Sequence, residues 1–331
     1  MKTIHWGILG CGKIARKFAA DFKFVKNAEL IAVGAREQST ADVFAKDFSV
    51  KYKHDSYQSL VENPEVDAIY IATPHAFHHE HTLLCLRHNK AVLCEKAFAM
   101  NHRQAKEMIA FAQEKKVFLM EAFWTKFLPH YQLMKSMIAE GKIGKVQNVI
   151  ANFGFIPAPP IAPRLYDPKL GGGSLLDIGV YPVFLALDIL GRPDEVEATM
   201  TSSDQGTDNQ CAIQFHYHNG MLAQLFSTFA SNLSTGADIG GDRGRIRLTH
   251  RFHGPTTNLE YYPDIVDSCQ HIEFEKALGT GYEYEAQHVT DCLLKGLKES
   301  PVMKHADTLL LMETLNRIRA KAGIYYPADD H

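Results

Sequence analysis

Several short groups of residues in this chain have types and spacing that can do chemistry. The first is Gly10-Cys11-Gly12-Lys13-Ile14-Ala15, which follows a strand-like apolar run and opens a helical pattern. It fits the spacing G-x-G-x-x-G/A. In that pattern the first glycine permits a tight turn and the second lets backbone N–H groups approach a pyrophosphate. The helix N-terminus then stabilises the phosphate charge. Gly10, Cys11, Gly12, Lys13 and Ile14 are therefore the expected dinucleotide cradle, with a purely structural turn as the alternative. Past the second strand-like run comes Gly34-Ala35-Arg36, with no acid before Glu37. An NAD-selective site places a carboxylate near there for the ribose hydroxyls, whereas a guanidinium suits a 2′-phosphate. Arg36 favours NADP over NAD, the bland alternative being a solvated surface arginine.

Two further groups sit where parallel strands would end. Thr73, Pro74, His75 and His78 follow one apolar run, with His79 and His81 close behind. Histidines at this spacing without a complete ligand set are poor support for a metal, and none is expected. Ligands of parallel sheets bind at the carboxyl ends of the strands, so these residues are expected on the nicotinamide side. Glu95-Lys96 ends another run. A lysine there faces the cleft for the reactive end of a dinucleotide, and a salt bridge to a neighbouring acid is the alternative.

The elements that must position these groups are legible as alternating patterns. Strands are expected at 4–9, 29–33, 68–72, 91–94 and 117–120, with a weaker one near 51–53. Amphipathic helices are expected at 14–24, 39–48, 81–88 and 103–114. This is βαβ grammar, hence an α/β Rossmann domain with a parallel sheet. Around 121–129 the grammar changes. Longer strands are expected at 146–155, 196–202, 211–217, 222–229, 245–248 and 271–274, then helices at 282–297 and 306–322. They imply an α+β second domain with a large, mostly antiparallel open sheet. The division expected is 1–123 for the dinucleotide domain and 124–331 for a substrate-binding and dimerisation domain. A length of 331 residues suits two domains, each large enough to bury a core. The proline-rich loop 156–173 ends in Gly171-Gly172-Gly173 and is long enough to be functional. Six cysteines without paired spacing point to a reducing, cytoplasmic setting. A net charge of −3 gives no electrostatic case for nucleic acid or an anionic membrane. No apolar run was expected to approach the roughly 20 residues of a membrane span, and the N-terminus shows no signal-peptide pattern.

The matching residues are Gly10–Ala15, Ala72-Thr73-Pro74-His75 with His78, Cys94-Glu95-Lys96, the run 121–129 around Trp124, and the run 171–182 from Gly171 to Pro182. By these the chain resembles the glucose–fructose oxidoreductase/inositol dehydrogenase (Gfo/Idh/MocA) family along essentially its whole length. The likeness is greatest to the branch of dimeric dihydrodiol dehydrogenase and NADP-dependent xylose dehydrogenase. Three departures stand out: Ala97 where Pro is usual, His75 where Asn is common, and Lys126 where Arg is frequent.

The resemblance implies an NADP-dependent dehydrogenase acting on a sugar or cyclic diol. Tyr181 would be the acid/base, Lys96 its helper and the ribose ligand, and Asp177 an orienting group. Asp177 and Tyr181 are four apart, so on a helix they would share a face, although Pro182 would kink or end that helix. A core tyrosine is the plain alternative. Trp124, Lys126, Phe153, Phe155 and Arg164 are the further substrate-side candidates, and Glu95 joins Lys96 on the cofactor side. The family likeness and the apolar content of both faces of 221–229 imply a homodimer paired through the open sheet. The rival reading is a non-catalytic NADP-binding sensor of the same fold.

Overall fold

Valine-, isoleucine- and alanine-rich runs buried on both faces build the first sheet, as expected where helices cover each side. The structure, a computed structural model, describes residues 2–263 and 268–330. Its chain folds into two units, Met1–Phe127 with Ala277–Leu309, and Leu128–Lys276 with Leu310–His331.

In the first unit, β1 (Ile4–Leu9) leads into α1 (Lys13–Asp21), then β2 (Ala28–Gly34), α2 (Gln38–Phe48), β3 (Tyr52–His54) and α3 (Tyr57–Glu62). Next come β4 (Ala68–Ile71), α4 (His78–Arg87), β5 (Ala91–Glu95), α5 (His102–Lys115) and β6 (Leu119–Ala122). The strand order is β3-β2-β1-β4-β5-β6, all parallel. That is the dinucleotide-binding order, with its switch point between β1 and β4. Trp6, Phe18, Phe22 and Tyr70 form an aromatic core, the Phe18 and Tyr70 rings stacking at 3.9 Å. The expected strands recur within a few residues; expected helix 14–24 ends at Asp21 and tightens into a 3₁₀ turn over Phe22–Phe24.

In the second unit, α6 (Pro129–Ala139) precedes β7 (Val146–Gly154), and a π-helical turn (Leu175–Gly179) leads into α7 (Val180–Leu190). The strands β8 (Glu195–Ser202), β9 (Asp208–His216), β10 (Leu222–Thr228), β11 (Ala237–Gly241), β12 (Gly244–Leu248), β13 (Leu259–Pro263) and β14 (Gln270–Ile272) follow. Their sheet runs β14-β13-β12-β11-β7-β10-β9-β8 and is antiparallel except where β10 lies parallel to β7. Alternation is clear on β10, where Ala223, Leu225 and Ser227 are buried while Leu222 and Gln224 are exposed.

The structure corrects two expectations. A single cut after residue 123 does not describe the chain, because α8 (Tyr282–Leu294) packs on α1 and β1 in the first unit. Asp21, at the end of α1, accepts hydrogen bonds from the N–H groups of Thr280 and Tyr282, and Trp6 donates to Thr290 at 3.2 Å. The last of the three boundaries falls inside α9 (His305–Ala322). Secondly, one helical run, Pro168–Leu190, does have the length and apolar composition of a span. With 89% of its most apolar stretch buried inside the protein, it reads as a core helix.

Candidate active site

The glycine loop forms as the sequence implies. Gly10 has φ +100°, and a Cβ there would stand 3.1 Å from the Ala72 carbonyl oxygen, so β1 and β4 end in close approach. Gly12 is the N-cap of α1 and makes no side-chain cap hydrogen bond, so the first-turn N–H groups suit an anion. Ala15, at the third position of the motif, is fully buried. Burial pushes the Cys11 thiol up to about 11, so Cys11 serves as packing and not as a nucleophile. Arg36 stands exposed just beyond β2, with Tyr57 and His81 in electrostatic reach of its guanidinium. Glycine turn, uncapped helix start and free-standing cation fit a dinucleotide phosphate.

At the ends of β4 and β5 the side chains divide into two kinds. His78 is fully buried, its Nδ1 2.8 Å from Ala97 O and its Nε2 2.8 Å from Thr73 O. Burial pushes its pKa down to about 4, and a neutral ring has one N–H, so it donates to one carbonyl at a time. His78 is thus a strut between the Thr73 and Ala97 loops, which corrects its expected place among the cofactor ligands. Thr73 also lies 3.0 Å from His81, while Pro74 caps the short turn carrying His75. Glu95 is buried; it accepts from the Tyr70 hydroxyl and from the Lys96 N–H at 3.2 Å. Those bonds make it a support for Lys96, which is itself only partly buried. Among the described residues the group of three metal-type donors is Glu260, Cys269 and His271, not the histidines of α4.

Trp124 stacks on Tyr282 of α8 at 4.5 Å, so its indole is placed by a helix far off in sequence. Lys126, expected to face substrate, is paired with Asp307 at 2.8 Å and its side chain is 11% exposed. That pairing gives it a structural use.

In the second unit the sequence solves the problem of Pro182 locally. A π-helical turn precedes it, and Pro182 falls in the first turn of α7, where a missing N–H costs little. Asp208 holds the start of this turn, accepting from Ser174 Oγ at 2.8 Å and from Leu175 N at 2.7 Å. Asp177 sits on the π turn and is bound by Arg164 at 2.9 Å. Tyr181 is buried, its ring 5.8 Å from Phe153 and 4.7 Å from His253. Phe153 in turn stacks on His253 at 4.3 Å. Phe155 packs as a wall against the small cluster of Leu165, Ile178 and Phe229, its ring 5.3 Å from that of Phe229. The structure therefore brings Tyr181, Phe153, Phe155, Asp177 and Arg164 into one unit's neighbourhood. His253, Asp208, Tyr70 and Tyr282 were not foreseen. Tyr70 and Tyr282 fall in an expected strand (68–72) and helix (282–297), whereas Asp208 and His253 lie outside the expected elements.

Comparison with known proteins decides the kinship. Residues 4–123 match the oxidoreductase family with an NAD-binding Rossmann fold, and residues 131–247 match the Gfo/Idh/MocA C-terminal domain. Trans-1,2-dihydrobenzene-1,2-diol dehydrogenase of Xenopus tropicalis is 36% identical across 97% of this chain and 99% of its own. The chain belongs to the Gfo/Idh/MocA oxidoreductases. Its human relative of the same name is 32% identical over 99% of both chains. A 3-ketoreductase from Actinomadura kijaniata, solved with TDP-benzene and NADP, is 26% identical with a TM-score of 0.85, covering 98% of this chain and 100% of its own. That enzyme has also been solved with one tyrosine changed to phenylalanine and, separately, one lysine changed to alanine.

Proposed function

We propose that this Gfo/Idh/MocA oxidoreductase is an NADP-dependent dehydrogenase acting on the hydroxyl-bearing carbon of a sugar or cyclic diol. When bound, the nicotinamide supplies the hydride acceptor. Gly10, Cys11, Gly12, Lys13 and Ile14 bind the pyrophosphate with backbone N–H groups, and Arg36 binds the 2′-phosphate. Thr73, Pro74 and His75 line the nicotinamide side. Tyr181 takes the substrate hydroxyl proton at Oη. Free tyrosine titrates near 10, so it needs help, and the family resemblance assigns that help to Lys96. Asp177, held by Arg164, orients a substrate hydroxyl, while Trp124 and Phe153 cover apolar ring faces.

The observation that carries this reading is Tyr181 itself. It is a buried phenol fixed between Phe153 and His253, in a chain that keeps Lys96 at the end of β5. The names of the relatives, diol dehydrogenases and a ketoreductase, support the CH–OH chemistry. A panel of aldoses and trans-diols with NADP⁺, followed by absorbance of the reduced cofactor, tests it. Turnover is expected with the wild type. NADP binding with no reduction by any member of the panel would instead indicate a sensor.

A homodimer through the open sheet face belongs to the same proposal. Ile150 and Leu222 are exposed there, beside a depression of about 660 Å³ bordered by Ala212, Gln224 and Phe226. A second copy would cover this apolar patch. Light scattering at micromolar concentration should give twice the chain mass, and Phe226→Glu should halve it; a wild-type monomer would end the idea. Six free cysteines suit a reducing, cytoplasmic setting.

A further inference from the structure

Near Lys96 the first unit buries three carboxyl groups: Glu95 on β5, Glu121 on β6 and Glu285 on α8. Their surroundings are unequal. Glu95 accepts hydrogen bonds from the Tyr70 hydroxyl and the Lys96 N–H. Glu285 is fully buried, and neither of its carboxyl oxygens has a hydrogen-bond partner. The groups feel one another. The charge of Glu95 acts on Glu121 and on Glu285, Lys96 acts on Glu121, and Glu95, Glu285 and Tyr282 act on Tyr70.

Two adjacent carboxylates in a low-dielectric interior cannot both ionise cheaply, so a proton settles on the one whose anion is least solvated. Donors stabilise an anion, and Glu95 has them. An unpartnered buried carboxylate is the costliest place for charge. We propose that Glu285 is a positioning residue: it stays protonated at neutral pH, so that Glu95 carries the negative charge that keeps Lys96 an ammonium. The role assigned to Lys96 rests on the function proposed above; the protonation of Glu285 does not. Burial, then the Glu95 charge, pushes the Glu285 carboxyl well above the usual range, and burial pushes Glu121 up to about 8. Tyr70, also raised by burial, remains a neutral donor. Of the three carboxyl groups, Glu95 then carries the negative charge, one residue before Lys96.

Infrared spectroscopy of the whole protein at pH 7 tests the protonation. The wild type should show a carboxylic-acid C=O band that Glu285→Gln removes, with Glu121→Gln removing a second, separate contribution. Loss of carboxylate bands instead, in Glu285→Gln, would overturn the proposal. Should that variant fail to fold, the Glu121→Gln protein decides: a remaining acid band at pH 7 supports the proposal, and none refutes it. The positioning role has its own readout in the pH profile of kcat. Glu95→Gln should move the alkaline limb down by about one pH unit, because the lysine loses its counter-charge. Glu285→Gln, whose amide imitates the neutral acid, should leave the limb in place. A limb shifted equally by both variants would show that Glu285 carries the charge. Absence of turnover in the wild type would refute the proposed function while leaving the infrared result to stand alone.

Discussion

Arg36 and Glu121 carry single-residue expectations for cofactor choice and pH response. Arg36 stands exposed past Gly34 and Ala35, where a bidentate, charge-assisted contact to a 2′-phosphate would contribute on the order of 1.5–3 kcal/mol. Arg36→Ala should therefore raise the Kd for NADP more than about tenfold and leave that for NAD nearly unchanged. Titration of both cofactors by fluorescence checks this, and equal weakening would dismiss Arg36 as the phosphate ligand. Glu121 is pushed up to about 8 by burial, while in the unfolded chain it titrates near the ordinary glutamate value of 4.5. Between these values the native state holds a proton that the unfolded state has released. Its contribution to stability is complete below about 4.5 and is lost as pH rises toward 8, with a slope approaching ~1.4 kcal/mol per pH unit. Glu121→Gln should flatten that decline in denaturant titrations. The sequence made Gly10, Gly12, Arg36 and Lys96 legible because their spacing follows strand ends. His253 and Glu285 were not, since their meaning comes from side chains distant in the chain.

Among the elements, the π-helical turn before α7 is the most demanding. Gly173 holds φ +120°, and a Cβ on it would lie 2.2 Å from Asp208 Oδ1, the residue that binds Ser174 and Leu175. Gly173→Ala should cost about 1–3 kcal/mol of backbone strain before any clash is counted. It should lower the Tm and also reduce kcat, because Asp177 and Tyr181 follow directly. A variant with unchanged Tm and turnover would mean that the turn does not depend on this contact. Strands with β-branched alternation were readable, as β8, β9 and β10 show. Two were missed for physical reasons. The run Ala237–Gly241 is too small-sided to show alternation, and Leu259–Pro263 ends in a proline that reads as a breaker. The sequence also indicated α8 as a helix, but not where it packs. Its docking depends on Asp21 receiving the N–H groups of Thr280 and Tyr282, a pairing 261 residues apart at its longest. Asp21→Ala strips the Thr280 and Tyr282 N–H groups and the Thr280 hydroxyl of their acceptor at once. It should destabilise the protein by roughly 2–4 kcal/mol, read as a fall in the denaturation midpoint.

At the scale of the molecule, Lys96 lies in one unit and Tyr181 in the other. The function proposed above makes these residues one proton-transfer unit. Groups that act together are non-additive, and a positioned acid–base group contributes typically ~10²–10⁴ in rate. The direct measurement is a double-mutant cycle in kcat on a substrate the wild type oxidises well, with NADP Kd measured alongside. Tyr181→Phe should lose about 10²–10⁴-fold while still binding NADP, and Lys96→Met should lose a comparable factor. The double variant should then be scarcely worse than the poorer single one. Losses that multiply, or a Tyr181→Phe enzyme with near-normal turnover, would contradict the claim and leave His75 or Asp177 as the base to examine.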